Sequence, residues 1–410
     1  MASSIETTFE KAVSDGVIAG AVLYAATKDN GIVFSKSFGR RSLDKDAEPI
    51  AADDMMRLYS ASKLITSIAA LQVVERGLIG LDDDVSHILP EVGALKVLTG
   101  MNGSEPVFEE RKGKITLRLL LSHSSGISYA FLSPLLQKYN QSQGEAPFPP
   151  FTTIKDSYSA PLVYQPGTAW EYSAAIDWAG AVVARLSGTS LEEFIQQNIA
   201  KPLEINDMTF FVNDKPNLKS RLVTPVLRDP SVPDGKGKVV PDNGSSGWLD
   251  AVSEELGGAG LATSMQSYIK VLHSILADDG KILKPETAEM MFKPQLTPAS
   301  QKSLQSLFDH IPKGQSGGAP PFIGEFPQVK YDFGLGGMLS LEDVDAGSLT
   351  WRRKGYLFWS GMPNLFWFMD REAGVCGIFG TQVLPNADNQ IRELIRTFEQ
   401  VVYERFAFKA

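Results

Sequence analysis

The sequence predicts an α/β (α+β) architecture: a mainly antiparallel sheet flanked by helices, joined to a largely helical subdomain. Three observations lead there. A chain of 410 residues exceeds the size at which one hydrophobic core usually stops growing, so two subdomains or one large insertion are expected. Both chain ends have strand texture. The middle is mostly helix and loop. The expected division is a single domain over 1–410, with a sheet subdomain at approximately 1–58 and 265–410 and a helical subdomain at approximately 59–264.

The elements follow in order. Residues 4–15 are helical by pattern. A-G-A-V-L-Y-A-A-T and G-I-V-F-S-K-S-F-G then flank Lys28-Asp29-Asn30, and Asn30-Gly31 is a hairpin signal. Residues 61–76 place Leu64, Ile68, Leu71 and Val74 on one helical side, stopped by Gly77. Further helices are expected over 116–122, 174–187, 190–199 and 265–277. Near the C-terminus L-T-W-R-R-K-G, Y-L-F-W-S, N-L-F-W-F-M-D and G-V-C-G-I-F-G-T-Q-V read as short strands. The segment 389–406 carries Ile391, Leu394, Ile395, Phe398, Val401 and Val402 at helical spacing. Stretches 129–168, 225–250 and 296–330, rich in Pro, Gly, Ser and Gln, read as long loops of the kind that shape a site.

Composition narrows the function. A formal net charge of −9 argues against a nucleic-acid-binding surface. No segment approaches ~20 uninterrupted apolar residues, so no membrane span is expected. The first residues lack a basic start followed by an apolar run, so no secretory leader is expected. The single cysteine, Cys376, rules out an internal disulfide, fits a reducing compartment and points to the cytoplasm. Its setting, V-C-G-I-F-G, is that of a packed small hydrophobe rather than a catalytic thiol. There is no H-E-x-x-H, no paired His/Cys cluster and no G-K-[ST] loop, so neither a metal nor a nucleotide cofactor is implied.

Residues 56–66 read M-R-L-Y-S-A-S-K-L-I-T. Ser60 and Lys63 stand three apart at a helix start, and positions i and i+3 share a helix face. A helix N-terminus favours developing negative charge. A lysine is a base only when uncharged, a state that burial favours. Lys63 would then take the Ser60 proton and Ser60 would form an acyl-enzyme. Alone, S-x-x-K is also ordinary surface chemistry. Gly314-Gln315-Ser316-Gly317-Gly318 matches G-x-S-x-G, but it lies in a Pro/Gly-rich loop and not on a strand–turn–helix, so it is read as a decoy. A Ser-His-Asp triad would need one of His87, His123, His273 and His310. His123, the best placed, ends a helix, where a cation or a capping hydrogen bond is structurally useful.

S-A-S-K with the downstream E-R-G-L-I-G-L-D-D-D-V, T-L-R-L-L-L-S-H-S-S-G-I, G-G-A-G-L-A-T-S from Gly257 and F-G-L-G-G from Phe333 resemble the serine β-lactamase and penicillin-binding-protein superfamily, in its class C and esterase branches. The resemblance covers nearly the whole chain and implies a β-lactamase/transpeptidase-like fold. It implies a second catalytic residue at Tyr172 in Tyr172-Ser173-Ala174, a triplet lacking the usual asparagine at its third place. It puts Trp359-Ser360-Gly361 where K-T-G is normally found, which argues against penicillin recognition. The oxyanion hole would be the backbone N–H groups of Ser60 and Met362. E-R-K-G-K-I-T-L-R from Glu110, S-Y-A-F-L-S-P-L-L at 128–136, S-Y-I-K-V-L-H-S-I-L at 267–276, W-R-R-K-G at 351–355 and G-M-P-N at 361–364 look like the fungal polyketide acyltransferases of the lovastatin type.

That resemblance implies a ping-pong transfer of a short acyl group. The donor would be a thioester, free or carrier-protein-bound, and the acceptor a hydroxyl of a polyketide-like product. Tyr129, Phe131, Trp170, Trp178, Trp359 and Phe366, with Ser360 and Gly361, are the expected pocket residues. The alternatives are a carboxylesterase or lactonase on the same serine, or a catalytically silent binding protein.

Overall fold

The computed structural model describes residues 4–147, 151–244, 246–309, 329–344 and 351–407. Its centre is a seven-stranded antiparallel sheet. The strands are β1 (Gly20–Thr27), β2 (Gly31–Gly39), β3 (Tyr331–Phe333), β4 (Met338–Ser340), β5 (Leu357–Gly361), β6 (Leu365–Asp370) and β7 (Val375–Gly380). Their spatial order is β2-β1-β7-β6-β5-β4-β3. The first and last parts of the chain therefore interleave, β1 pairing with β7. Gly31 takes a φ of +67°, the left-handed conformation that the Asn30-Gly31 signal anticipates.

Every residue of β5, β6 and β7 is buried, because helices cover both sheet faces. The main helices are α1 (Ile5–Ser14), α2 (Ser62–Glu75), α3 (Ala175–Ser187), α4 (Met265–Ala277) and α5 (Asn389–Phe406). Two glycines of β7 mark the two faces. A Cβ at Gly377 would strike Phe368 and Phe398 of α5, whereas one at Gly380 would strike Met265 of α4. Odd spacing along a strand sends the two to opposite sides. Cys376 is buried on this strand, and burial pushes its thiol up, as a packed hydrophobe requires.

The middle of the chain holds more regular structure than its texture suggests. Val97–Asn102 and Glu105–Glu109 form a hairpin turning at Gly103, whose φ is +63°. Asn102-Gly103 carried the same signal as Asn30-Gly31. The stretch 129–168 contains helices Pro134–Ser142 and Ile154–Tyr158, whose N-caps are Ser133 and Thr153. Within 225–250, Val226–Arg228 pairs with Val239–Pro241 and, in parallel, with Val383–Leu384. The helix expected over 190–199 is α-helical over Leu191–Ile195 and continues as a wider turn over Gln196–Ala200. Residues 351–355, read as part of a strand, form a turn that buries the Arg352 side chain. From 296 to 309 the main element is the helix Pro298–Ser306; Ser316 and its G-x-S-x-G setting lie outside the described residues. Among the described residues, no helix is long and apolar enough to cross a membrane, and no group of three or more His, Cys, Asp or Glu side chains could hold a metal ion.

Candidate active site

Strand Met55–Arg57 pairs with Ala262–Ser264 and delivers the chain to Ser60. Ser60 sits in a short 3₁₀ turn, Tyr59–Ala61, immediately before α2, rather than on the α-helix itself. The turn is clamped from several sides. Leu58 N–H donates to Leu261 O at 2.9 Å, the Tyr268 hydroxyl to Ala61 O at 2.9 Å and the Tyr59 hydroxyl to Ser246 O at 3.0 Å. Tyr59 has a φ of +46°, a conformation costly for a residue with a Cβ and one that such anchoring sustains. The end of β5 closes on the same turn: a Cβ on Gly361 would lie 2.3 Å from Leu58 O, so only glycine allows this approach.

Lys63 lies on the first turn of α2 and is 1% exposed. Its Nζ is 3.5 Å from Ser60 Oγ, and it donates to Gly258 O at 2.7 Å and to the Tyr129 hydroxyl at 3.2 Å. The Tyr172 hydroxyl donates to Ser60 Oγ, and the Tyr172 ring centroid is 4.7 Å from Lys63 Nζ. The fold thus brings Ser60, Lys63 and Tyr172 together from two segments more than a hundred residues apart in sequence.

His123 supports this cluster without joining it. Its backbone is left-handed just beyond the helix Leu117–Leu121, and its Nδ1 accepts the Ser173 N–H at 3.2 Å. Its ring packs 4.9 Å from that of Tyr172. Burial, and then the charge of Lys63, hold its imidazole well below the usual histidine range. It is therefore a neutral packing residue that seats the Tyr172 loop; of the two structural roles the sequence offered, a cation or a capping hydrogen bond, it does not fill the first. Asp177, on the first turn of α3, was not singled out from the sequence. It is wholly buried, and burial raises its carboxyl to about 6, against the opposing pull of Lys63 and of the Gly258 N–H.

Ser60 and Tyr172 open onto a cavity of about 670 Å³. Of the residues expected to line it, Tyr129, Phe131, Trp359, Ser360 and Gly361 do so, and Met362, expected as an oxyanion-hole donor, lies on the same wall. Trp359 packs 5.2 Å from Tyr172 and 5.3 Å from Phe333. Trp170, Trp178 and Phe366 are not on the wall. Trp170 stands behind His123, 6.1 Å away ring to ring, and Trp178 donates its indole N–H to Tyr158 O at 3.1 Å. Phe366 is opposite Ser360 in the β5–β6 register and packs on Phe358 and Phe368, on the sheet face turned toward α5, whereas Trp359 points the other way. A strand buried on both faces gives no hydropathy alternation from which to read that choice.

The rest of the wall was not foreseen: Tyr59, Phe151, Trp248, Leu227 and Leu384 among others. Tyr59 is adjacent to Ser60 and was open to notice. The others come from remote segments, and their local sequence carries no sign that they converge.

The β-lactamase family model matches residues 5–400 of this chain. Monacolin J acid methylbutanoyltransferase of Aspergillus terreus is 39% identical over 408 residues, covering 98% of this chain and 95% of that protein. Lovastatin esterase of Penicillium rubens is 38% identical, covering 98% of each chain. Among solved structures, the LovD6 mutant of simvastatin synthase from Aspergillus terreus superposes with a TM-score of 0.86 at 40% identity, covering 98% of this chain and 94% of that one. With the family model matched over residues 5–400 and this likeness to fungal acyltransferases, the chain belongs to the β-lactamase family.

Proposed function

We propose that the protein is a serine acyltransferase that moves a short acyl group from a small thioester to a hydroxyl of a polyketide-like acceptor through a Ser60 acyl-enzyme. The observation that carries this reading is the convergence of Lys63 Nζ and the Tyr172 hydroxyl on Ser60 Oγ at the wall of an aromatic cavity. The bonds from Lys63 Nζ to Gly258 O and the Tyr129 hydroxyl orient the amine toward Ser60 Oγ.

In the first half-reaction Lys63 takes the Ser60 proton as Oγ attacks the thioester carbonyl. The backbone N–H groups of Ser60 and Met362 face the tetrahedral oxygen; one such donor is worth about 10²–10³ in rate. The C–S bond then breaks, and the sulfur leaves as a thiol with a proton relayed through Tyr172. In the second half-reaction the acceptor hydroxyl loses its proton along the same route and attacks the acyl carbonyl, and Ser60 Oγ leaves and recovers its proton. Trp359, Tyr129, Phe131, Ser360 and Gly361 shape the acceptor site, and Trp359 supplies apolar area where a lysine would grip a carboxylate.

Likeness to methylbutanoyltransferases supports a branched short-chain acyl group and a polyketide acceptor. Delivery by a carrier protein is a finer proposal, as is a cytoplasmic setting, which the lone buried cysteine favours. The test incubates enzyme, an acyl thioester and a polyketide alcohol, and follows acylated alcohol and free acid together. Acylated alcohol as the main product supports transfer. Free acid alone replaces it with the second reading, a carboxylesterase on the same serine, which the likeness to lovastatin esterase favours. Water and alcohol compete for one ester, and the outcome turns on how dry the site is and how well the alcohol is held.

A further inference from the structure

A carboxylate that the proposed chemistry does not use lies one layer behind Lys63. Asp177 Oδ1 accepts the Gly258 N–H at 2.9 Å, while Oδ2 has no hydrogen-bond partner among the described residues. Packing here is close: a Cβ on Gly258 would lie 2.3 Å from Oδ2. Gly258 presents its carbonyl to Lys63 Nζ at 2.7 Å, and the preceding carbonyl, of Gly257, accepts the Thr66 hydroxyl at 2.7 Å. One glycine therefore joins the carboxylate to the amine.

Burying a carboxylate is costly unless it is paired and bonded on all sides. A neutral side chain would hold the Gly258 N–H at lower cost, so the bond alone does not explain the charge. The titratable groups whose fields it meets are Lys63 on α2 and Tyr129 and Tyr158 from the 129–158 segment, with Tyr172 beyond them. Of these, only Lys63 can carry a positive charge.

We infer that Asp177 is a positioning residue for Lys63: it fixes Gly258 so that the glycine carbonyl aims the Lys63 amine at Ser60, and its charge stabilises the ammonium formed when Lys63 accepts the Ser60 proton. This rests on the Ser60–Lys63 reading above. In the step concerned the Ser60 Oγ–H bond breaks and a Lys63 Nζ–H bond forms. Asp177 stays ionised and exchanges no proton. When Asp177 is itself protonated, the new ammonium has no compensating charge.

The experiment compares wild type, Ser60→Ala and Asp177→Asn in single-turnover acylation by a nitrophenyl ester, quenched and read by intact mass from pH 4.5 to 8.5. Asparagine keeps an oxygen for the Gly258 N–H and removes the charge. The expected result is a wild-type rate that falls as pH drops through about 6, where the Asp177 carboxyl gains its proton. Asp177→Asn should be slower by about 10–100-fold at pH 8, with KM for the ester unchanged and the fall near pH 6 gone. An Asp177→Asn enzyme with the wild-type rate and the wild-type acid limb overturns the inference. If that variant does not fold, the wild-type profile decides, and a rate flat from pH 8 to 5 overturns it. A wild-type protein that gains no adduct at Ser60 instead refutes the nucleophile assignment, a separate failure.

Discussion

Arg352 and Lys63 are both 1% exposed, yet the fold treats them in opposite ways. Arg352, on the α5 side of the sheet, donates two bonds to one carboxylate: Nε to Glu399 Oε1 at 3.0 Å and a terminal nitrogen to Oε2 at 2.6 Å. The Tyr356 hydroxyl donates to the same carboxylate at 2.5 Å, and the guanidinium lies 4.6 Å from the Tyr356 ring centroid. Burial works against that charge, but Glu399 overrides it and holds the guanidinium above its ordinary range. Lys63, on the other side, meets neutral oxygens of Gly258, Tyr129 and Ser60, with its carboxylate set back behind a glycine. A closed bidentate pair secures structure. An amine among neutral oxygens, one of them facing a cavity, meets no carboxylate directly among the described residues.

The largest effect should come from removing the amine. Lys63→Met is expected to slow acylation by about 10⁴-fold, roughly 5.5 kcal/mol of barrier, while chemical denaturation detects a change below about 2 kcal/mol from the two oxygens left unbonded. A loss of stability without loss of rate would erase the contrast. Arg352→Met should do the reverse. It strands Glu399 and costs about 3–5 kcal/mol of stability, with the acylation rate per folded molecule unchanged.

The third effect concerns pH. The folded Asp177 carboxyl sits at about 6 against an ordinary value of 3.8, so the folded protein binds this proton more tightly than the unfolded chain does. Its stabilising contribution is present below about pH 3.8 and is lost as pH rises through 6. Subtracting the Asp177→Asn unfolding curve from that of wild type should show wild type losing roughly 2.4 kcal/mol between pH 4 and 7. A flat difference would mean that this carboxylate is buried without penalty, and the comparison with Glu399 would lose its force. The smallest effect is at the cavity mouth. Phe131 is 47% exposed and stacks 4.8 Å from the Tyr129 ring. Phe131→Ala should shift stability by less than about 1 kcal/mol and raise KM for an apolar acceptor a few-fold.

How far the sequence could be read follows the same division. Ser60 and Lys63 were legible because their relation is local: three residues on one helical turn. Tyr172 was legible only through its triplet, since nothing near it in sequence points to Ser60. The β1–β2 hairpin was written in Asn30-Gly31, and the Val97–Glu109 hairpin in Asn102-Gly103, where the signal was overlooked. Phe366 was misplaced because a strand covered on both faces is apolar throughout. Asp177 hid among the apolar positions of α3, where one acidic residue in a first turn reads as a helix-end charge. Its partner Gly258 is 81 residues away.

The central claim is that Ser60 carries the acyl group. The most direct test is to mix the protein with an acyl thioester, quench within one turnover, and map the added mass by peptide sequencing. One acyl group on the peptide containing Ser60, absent in Ser60→Ala and discharged when a polyketide alcohol is added, is the predicted result. Acyl transfer that persists in Ser60→Ala, or an adduct mapped to any other residue, would contradict it.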